Sequence, residues 1–298
     1  MRIAIDTVPS PGFRAQLDAA FGAVAEVDGA YGDAEVLLHV LAPVTTAVIE
    51  GAPGLRLIQK LGTGVNTIDL DAARACGVAV CNMPGTNAAA VAEMALALML
   101  AVLRRTPALD AGVRAGRWAP DPALLDGVGE IGGRTVGLVG FGHSASRLAG
   151  VLAALGATVV YTARHRREVA YDFLTLPELL ARADIVSLHV PLDATTRGLV
   201  DPHAMKPGAV LVNVARGGLV DEARLAAALA DGHLRGAGLD VFADEPVDPA
   251  HPLLALPTVV AAPHVAWLTP ETLARSVAVA ADNVARLAAG QPLLHRVA

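Results

Sequence analysis

The sequence predicts an α/β protein built on parallel sheets. Short runs rich in valine, isoleucine and leucine recur along the 298 residues, and they are apolar throughout rather than alternating. Strands covered on both faces read this way. Between them lie segments with apolar residues three and four apart, such as Glu222 to Ala230, the spacing of a helix face. Strand and helix patterns alternate nearly to the end of the chain, the signature of an α/β fold.

In chain order the strand candidates are RIAID (2–6), VLLHV (36–40), LRLIQ (55–59), VAVC (78–81), TVGLVG (135–140), TVVYT (158–162), DIVSLHV (184–190), AVLVNVA (209–215), GAGLDVF (236–242) and TVVAA (258–262). The longest apolar stretch, Ala88 to Leu103, carries Glu93 near its centre. A membrane span needs roughly 20 apolar residues and no central carboxylate, so a buried helix is expected and no membrane partner. Pro107, Pro120, Pro122 and several glycines break the pattern over 105–133, which suggests a domain boundary. A second boundary is expected near Pro263 to Pro270. The last helix, Glu271 to Ala289, has no following strand and could pack back on the first domain, making that domain discontinuous.

Composition narrows the function. Hydrophobic residues make up 54% and charged residues 17%, which excludes a disordered chain. A net charge of −6 with 3% aromatics argues against nucleic acid, whose phosphates attract basic surfaces and whose bases stack on aromatic rings. The chain opens directly on a strand, MRIAID, without the basic and apolar segments of a secretory signal. Cys76 and Cys81 have no partners at a metal-ligand spacing, so free thiols in a cytoplasmic protein are expected. No H-x-x-x-H or similar spacing occurs, and no metal is predicted.

The segment TVGLVGFGHSA places Gly140, Gly142 and Ala145 as G-x-G-x-x-A between an apolar strand and a helix. Gly140 permits the tight turn, Gly142 lets a pyrophosphate approach the backbone, and Ala145 lets the helix pack on the sheet. The N–H groups at the helix start then meet the anion. An NAD site usually adds a carboxylate about 20 residues on. Here no Asp or Glu lies between Glu130 and Glu168, while Arg134, Arg147, Arg164, Arg166 and Arg167 do. Guanidinium groups bind phosphate with paired hydrogen bonds, so NADP(H) is the expected cofactor. Arg164 is the first candidate for the 2′-phosphate, with His165 and Arg166 beside it.

Three later strands end in residues suited to chemistry: Arg216 after LVNVA, Asp240 and Glu245 in GLDVFADEP, and His264 after VVAAP. Ligands of open α/β sheets bind beyond the carboxyl ends of the strands. Arginine can clamp a carboxylate, histidine can pass a proton near neutral pH, and a glutamate beside it favours the imidazolium. His39, His189 and His251 are read as structural or surface residues.

At these residues the chain resembles the D-isomer-specific 2-hydroxyacid dehydrogenases. The resemblance runs through LGTGVNTIDLDAARACGVAVCNMPG (61–85), NAAAVAEMAL (87–96), GRTVGLVGFG (133–142), ADIVSLHVPLDATTRGLV (183–200), KPGAVLVNVARGGLVDEARLAAAL (206–229), GAGLDVFADEP (236–246) and HPLLALPTVVAAPHVAW (251–267). It implies two Rossmann-like domains: a doubly wound cofactor domain, placed at 105–267, inserted in a flavodoxin-like substrate domain, 1–104 with 268–298. It also implies a homodimer, with the helix at 88–105 near the dimer contact and a partner wall near Trp118. By resemblance Arg216 binds the substrate's carboxylate and carbonyl, His264 is the acid, and Glu245 pairs with His264. Asp240 would hold the nicotinamide carboxamide. Thr63 and Gly64 would bind the substrate carboxylate through backbone N–H groups, with Asn87 at the pocket edge. Val190, Pro191 and Thr196 would flank the adenosine. Further cofactor contacts are expected at Phe141, His143, Ser144, Ala163, Val214, Ala215, His264 and Ala266.

The departures refine this. Ser144 and Ala145 stand where the family often has Ile and Gly. PHVAW after the catalytic strand is similar to glycerate dehydrogenases and hydroxypyruvate reductases, with Trp267 as a bulky apolar wall, and YTARHRR resembles NADPH-linked glyoxylate and hydroxypyruvate reductases. Formate dehydrogenases carry glutamine at the Glu245 position, phosphite dehydrogenases carry lysine at Thr63, and phosphoglycerate dehydrogenases often extend further at the C-terminus. The expected activity is reduction of a small 2-oxo acid with NADPH. The alternatives are an NAD(H)-dependent D-2-hydroxyacid dehydrogenase of another substrate, or a non-catalytic dinucleotide-sensing corepressor or scaffold.

Overall fold

Both sheets of the computed structural model are parallel, as the continuously apolar strand runs require. The structure describes residues 1–27 and 31–298. They divide into two units, Met1–Asn87 with Trp267–Ala298, and Ala88–Ala266.

The first unit runs β1 (Ile3–Ile5), α1 (Pro11–Phe21), β2 (Val24–Glu26), β3 (Val36–His39), α2 (Thr46–Glu50), β4 (Leu57–Lys60), α3 (Leu70–Ala75) and β5 (Ala79–Cys81). Its sheet order is β2-β1-β3-β4-β5, a flavodoxin-like arrangement. Every residue of β1, β3, β4 and β5 is buried. The Ser10 side chain caps α1 by accepting from the Phe13 N–H, with Pro11 opening the helix, a favoured start. Cys81 is buried and Cys76 exposed, both as free thiols; burial pushes the Cys81 thiol up to about 11.

The second unit opens with α4 (Ala88–Arg104), α5 (Thr106–Arg114) and α6 (Pro122–Leu125). It continues through β6 (Thr135–Val139), α7 (His143–Ala154), β7 (Thr158–Thr162), β8 (Asp172–Phe173), α8 (Leu176–Arg182), β9 (Ile185–Leu188), β10 (Val210–Asn213), α9 (Glu222–Ala230), β11 (Gly236–Leu239) and β12 (Val259–Ala261). The sheet order β12-β11-β10-β9-β6-β7-β8 reverses between β6 and β9, the switch point where doubly wound sheets bind ligands. The chain then returns to the first unit as α10 (Pro270–Ala288). Leu273, Val277 and Ala280 of α10 share a core with Phe13 and Leu17 of α1. The buried Asn283 ties this helix to β4, donating to Gln59 Oε1 at 2.6 Å. The first unit is therefore discontinuous, as the missing final strand suggests.

Among the described residues all ten sequence-derived strands are present, and two more appear at sheet edges. β2 buries only Val24, and β8 spans two residues, neither of them fully buried. An edge strand that is not covered on both faces leaves no continuous apolar run to find. The first domain boundary also differs from expectation. It falls at 87/88 rather than 104/105, because α4 lies against the second sheet. A Cβ at Gly238 would sit 2.8 Å from Leu98 Cβ, and one at Gly236 would sit 2.7 Å from Val102 Cγ1. These glycines let α4 approach β11 closely, and Leu98, Met99, Val102 and Leu103 join the core with Val136, Leu138 and Leu148. The Pro- and Gly-rich stretch at 105–133 is a two-helix segment inside the second unit, not a boundary. The second boundary, at 266/267, lies one residue from the expected 267/268. Among the described residues no helix is long and apolar enough to cross a membrane.

Candidate active site

The glycine turn after β6 has the geometry its sequence asks for. Gly140 adopts φ 94°, and a Cβ there would lie 2.6 Å from the carbonyl oxygen of His189. Both facts exclude a side chain. Gly142 precedes α7 and supplies no side-chain cap, and nothing lies within 4 Å of where its Cβ would be. The space beside Gly142 at the start of the helix is thus open, and a helix N-terminus suits an anion. Ala145 is fully buried beneath the helix. This cradle fits a dinucleotide pyrophosphate. His143 is exposed at the first helical position, and Ser144 is half-buried beside it. The ring of Phe141 turns inward, with its centroid 4.4 Å from that of Tyr161, so only its backbone borders the turn.

Arg164, His165 and Arg166 are exposed beyond β7, after a half-buried Ala163. The Tyr161 hydroxyl fixes this loop: it accepts from the Arg167 N–H at 2.7 Å and donates to the Arg167 carbonyl at 3.1 Å. Among the described residues neither Arg164 nor Arg166 forms an ion pair. In the loop after β9, which holds Val190 and Pro191, the Thr196 hydroxyl donates to the Pro191 carbonyl and accepts from the Asp193 N–H, both at 2.8 Å. At the end of the same strand, His189 Nε2 lies 2.9 Å from Ser187 Oγ and its Nδ1 lies 3.2 Å from Ser144 Oγ. The sequence alone marks His189 only as a structural or surface residue.

Arg216 lies beyond β10, His264 beyond β12 and Glu245 in the loop after β11. The Asn213 side chain braces the first of these ends, donating to the Arg216 carbonyl at 2.8 Å and accepting from the Ala215 N–H at 3.0 Å. Val214 is buried and Ala215 half-buried. Gly217 then packs on the next loop so tightly that a Cβ would fall 1.9 Å from the Phe242 carbonyl carbon. Glu245 is held at both oxygens. Oε1 accepts from the Phe242 N–H at 3.0 Å, and Oε2 is 2.6 Å from His264 Nδ1. Burial works to raise the Glu245 carboxyl, but bonds from His264 and Phe242 and the charges of His264 and Arg216 outweigh it and hold it below the usual glutamate range. Burial pulls the Arg216 guanidinium down, and Glu245 opposes that shift.

His264 has a left-handed backbone, φ 54°, uncommon for any residue but glycine. Asp240 maintains it. Its carbonyl accepts from the His264 N–H at 2.7 Å, and its two carboxylate oxygens accept from Val265 and Ala266, each at 2.9 Å. Asp240 is 1% exposed, and burial raises its carboxyl despite those bonds. Asp240 and the buried Ala266 therefore have a scaffolding engagement that the sequence did not announce.

The remaining expected site residues lie in the first unit. Thr63 and Gly64 follow β4, and the Asn82 side chain clasps that loop by donating to the Thr63 carbonyl at 2.9 Å. Asn87 is half-buried at the end of the segment. Arg275 of α10 fixes that segment by donating to the Thr86 carbonyl at 2.8 Å. Trp267 packs against the core of its own unit. Among the described residues no group of three or more His, Cys, Asp or Glu could hold a metal ion.

A family model described as D-isomer specific 2-hydroxyacid dehydrogenase, NAD binding domain, matches residues 96–266, more than half of the chain. The chain belongs to this dehydrogenase family. D-3-phosphoglycerate dehydrogenase of Mycobacterium tuberculosis is 42% identical over 92% of the chain and 52% of its own length. The chain thus spans about half the length of that relative. Glyoxylate reductase of Aeropyrum pernix is 38% identical over 82% of the chain and 76% of its own length. Among solved structures, the NADPH-dependent glyoxylate/hydroxypyruvate reductase of Sinorhizobium meliloti in complex with citrate superimposes with TM-score 0.86 at 30% identity. It covers 100% of this chain and 97% of its own.

Proposed function

We propose that this family member reduces a small 2-oxo acid of the glyoxylate or hydroxypyruvate class to the D-2-hydroxy acid with NADPH. The observation that carries the reading is the 2.6 Å contact between Glu245 and His264, with the Arg216 charge beside Glu245. Nδ1 of His264 is committed to Glu245, so Nε2 is the atom that hands a proton to the carbonyl oxygen. Glu245 stabilises the imidazolium that this step requires. Arg216 clamps the carboxylate and polarises the carbonyl, supplying preorganised charge where negative charge develops. When bound, the nicotinamide supplies the hydride.

In this reading Gly140, Gly142 and the start of α7 hold the pyrophosphate. Val190, Pro191, Thr196, Val214, Ala215, Asp240 and Ala266 border the rest of the dinucleotide. Arg164, His165 and Arg166 face the 2′-phosphate, where a carboxylate would repel it. Thr63, Gly64, Asn87 and Trp267 are assigned to the substrate by the sequence resemblance. A homodimer fits the apolar groove of about 410 Å³ beside α5 and α6, where Trp118 is 87% exposed. A reducing cytoplasmic setting fits the two free thiols.

Absorbance at the reduced-nicotinamide band, followed with a panel of 2-oxo acids and with NADPH and NADH in parallel, tests the activity. His264→Ala is expected to lose about 10²–10⁴-fold in kcat, and Arg216→Lys to weaken substrate binding chiefly. Normal kinetics in both variants would sink the assignment. Arg164→Ala is expected to raise KM for NADPH about tenfold, the loss of one charge-assisted contact, and to leave KM for NADH nearly unchanged. Equal use of the two cofactors by the wild type would count against the 2′-phosphate reading.

A further inference from the structure

The ring of His189 joins two hydroxyls at the point where the strand order of the second sheet reverses. Ser187, fully buried in β9, lies 2.9 Å from Nε2. Ser144, in the first turn of α7, lies 3.2 Å from Nδ1. The carbonyl of His189 presses so closely on Gly140 that a Cβ there would meet it at 2.6 Å, so the His189 backbone borders the glycine turn while its ring reaches Ser144. We propose that Ser187 and His189 form a relay that presents the Ser144 hydroxyl as a hydrogen-bond donor to the pyrophosphate of the bound dinucleotide. The inference rests on the dinucleotide reading above and adds to it two residues and a proton arrangement.

His189 keeps some solvent exposure as a residue, yet burial pushes its ring down to about 4. It is therefore neutral near pH 7, with one nitrogen donating and the other accepting. In one tautomer Nε2–H donates to Ser187 and Nδ1 accepts the Ser144 proton. The Ser144 hydroxyl then shows only lone pairs to the helix start, and an anion is repelled. In the other, the Ser187 hydroxyl donates to Nε2, and Nδ1–H donates to Ser144 Oγ. The Ser144 proton is then released toward the ligand. A phosphate oxygen accepts strongly, and a hydrogen bond to a charged group is stronger than a neutral one, so binding selects the second tautomer. Gly142 provides no side-chain cap for α7, and the Ser144 hydroxyl adds a donor to that turn.

The test measures NADP⁺ affinity by calorimetry, with adenosine 2′-monophosphate as a probe that lacks the pyrophosphate. Ser144→Ala is expected to weaken NADP⁺ about tenfold and to leave adenosine 2′-monophosphate unchanged. His189→Leu should weaken NADP⁺ by a similar factor, and the double variant should be no weaker than either single one. A residue acting only through packing would give independent, multiplying losses. If His189→Leu does not fold, nitrogen NMR of His189 in the wild-type NADP⁺ complex decides, with protonation at Nδ1 expected. Wild-type affinity in Ser144→Ala, equal losses with both probes, multiplying losses in the double variant, or protonation at Nε2 in the complex each overturns the relay. If the wild type binds neither NADP⁺ nor NAD⁺, the dinucleotide reading itself falls, and the relay with it.

Discussion

Glu245 and Asp240 show how two carboxylates one loop apart come to do different work. Glu245 shares its oxygens between one backbone N–H and His264, and its carboxyl is held below the usual range. A carboxyl depressed in the folded state contributes stability above its unfolded value, about 4.3, and loses it as pH falls through the folded value. Glu245 therefore stays ionised to lower pH than an ordinary glutamate, so kcat/KM measured against pH should show no loss from Glu245 within the usual glutamate range. Glu245→Gln keeps the shape and loses the charge, and kcat is expected to fall about 10–10²-fold. Asp240 spends both oxygens on the 265–266 backbone. Asp240→Asn turns one acceptor into a donor facing an N–H, expected to destabilise by about 1–3 kcal/mol and to release the left-handed His264. Denaturant titration and kcat report the two effects separately.

Elements deliver these side chains through glycines that differ in kind. Gly217 is where the loops after β10 and β11 touch, and its Cβ would fall 1.9 Å from backbone that cannot move aside. Gly217→Ala is expected to separate Arg216 from Glu245 and to cut kcat/KM by about 10²-fold, since small misplacements carry penalties of that size. Gly142 is the opposite case. Its φ is −91° and the space beside it is open, so Gly142→Ala should unfold within about 0.5 kcal/mol of the wild type. Its dinucleotide affinity should nonetheless drop, because the new methyl group occupies the cradle. Comparing unfolding free energy with dinucleotide Kd in the two variants separates a glycine that holds loops together from one that makes room. From sequence both are simply glycines after apolar runs.

Among the described residues, each unit carries one histidine whose ring burial pushes down. His189 is pushed down to about 4 in the second. In the first, burial lowers His39, with Lys60 adding to the shift and the partner Asp6 opposing it; Thr67 accepts or donates at its other nitrogen. A histidine depressed in the folded state takes up protons more readily when unfolded, so stability is lost as pH falls from about 6.5 toward the folded value. Each pKa unit is worth about 1.4 kcal/mol, so the shift of His189 from 6.5 to about 4 is worth about 3.5 kcal/mol at most over that window. Melting temperature against pH should drop below about 6.5, and His189→Gln should flatten the curve. An unchanged slope in that variant would assign the acid sensitivity elsewhere.

What the sequence determined by itself was local or directional. The ten apolar runs became strands because burial on both faces demands such runs. Arg216, Asp240, Glu245 and His264 were legible because every parallel strand delivers its carboxyl end to the same side. Gly140 was legible because a tight turn into a helix admits little else. Tertiary structure decided what depends on neighbours far away in the chain. Ser144 and His189 are 45 residues apart, and they meet only because β6 and β9 are adjacent in the sheet. α4 belongs with the second unit because Gly236 and Gly238 leave room for it on β11. Asp240 holds the His264 loop because β11 and β12 run side by side. Such pairings turn on which strands become neighbours and on gaps of a few ångströms, and an apolar pattern along a chain records neither.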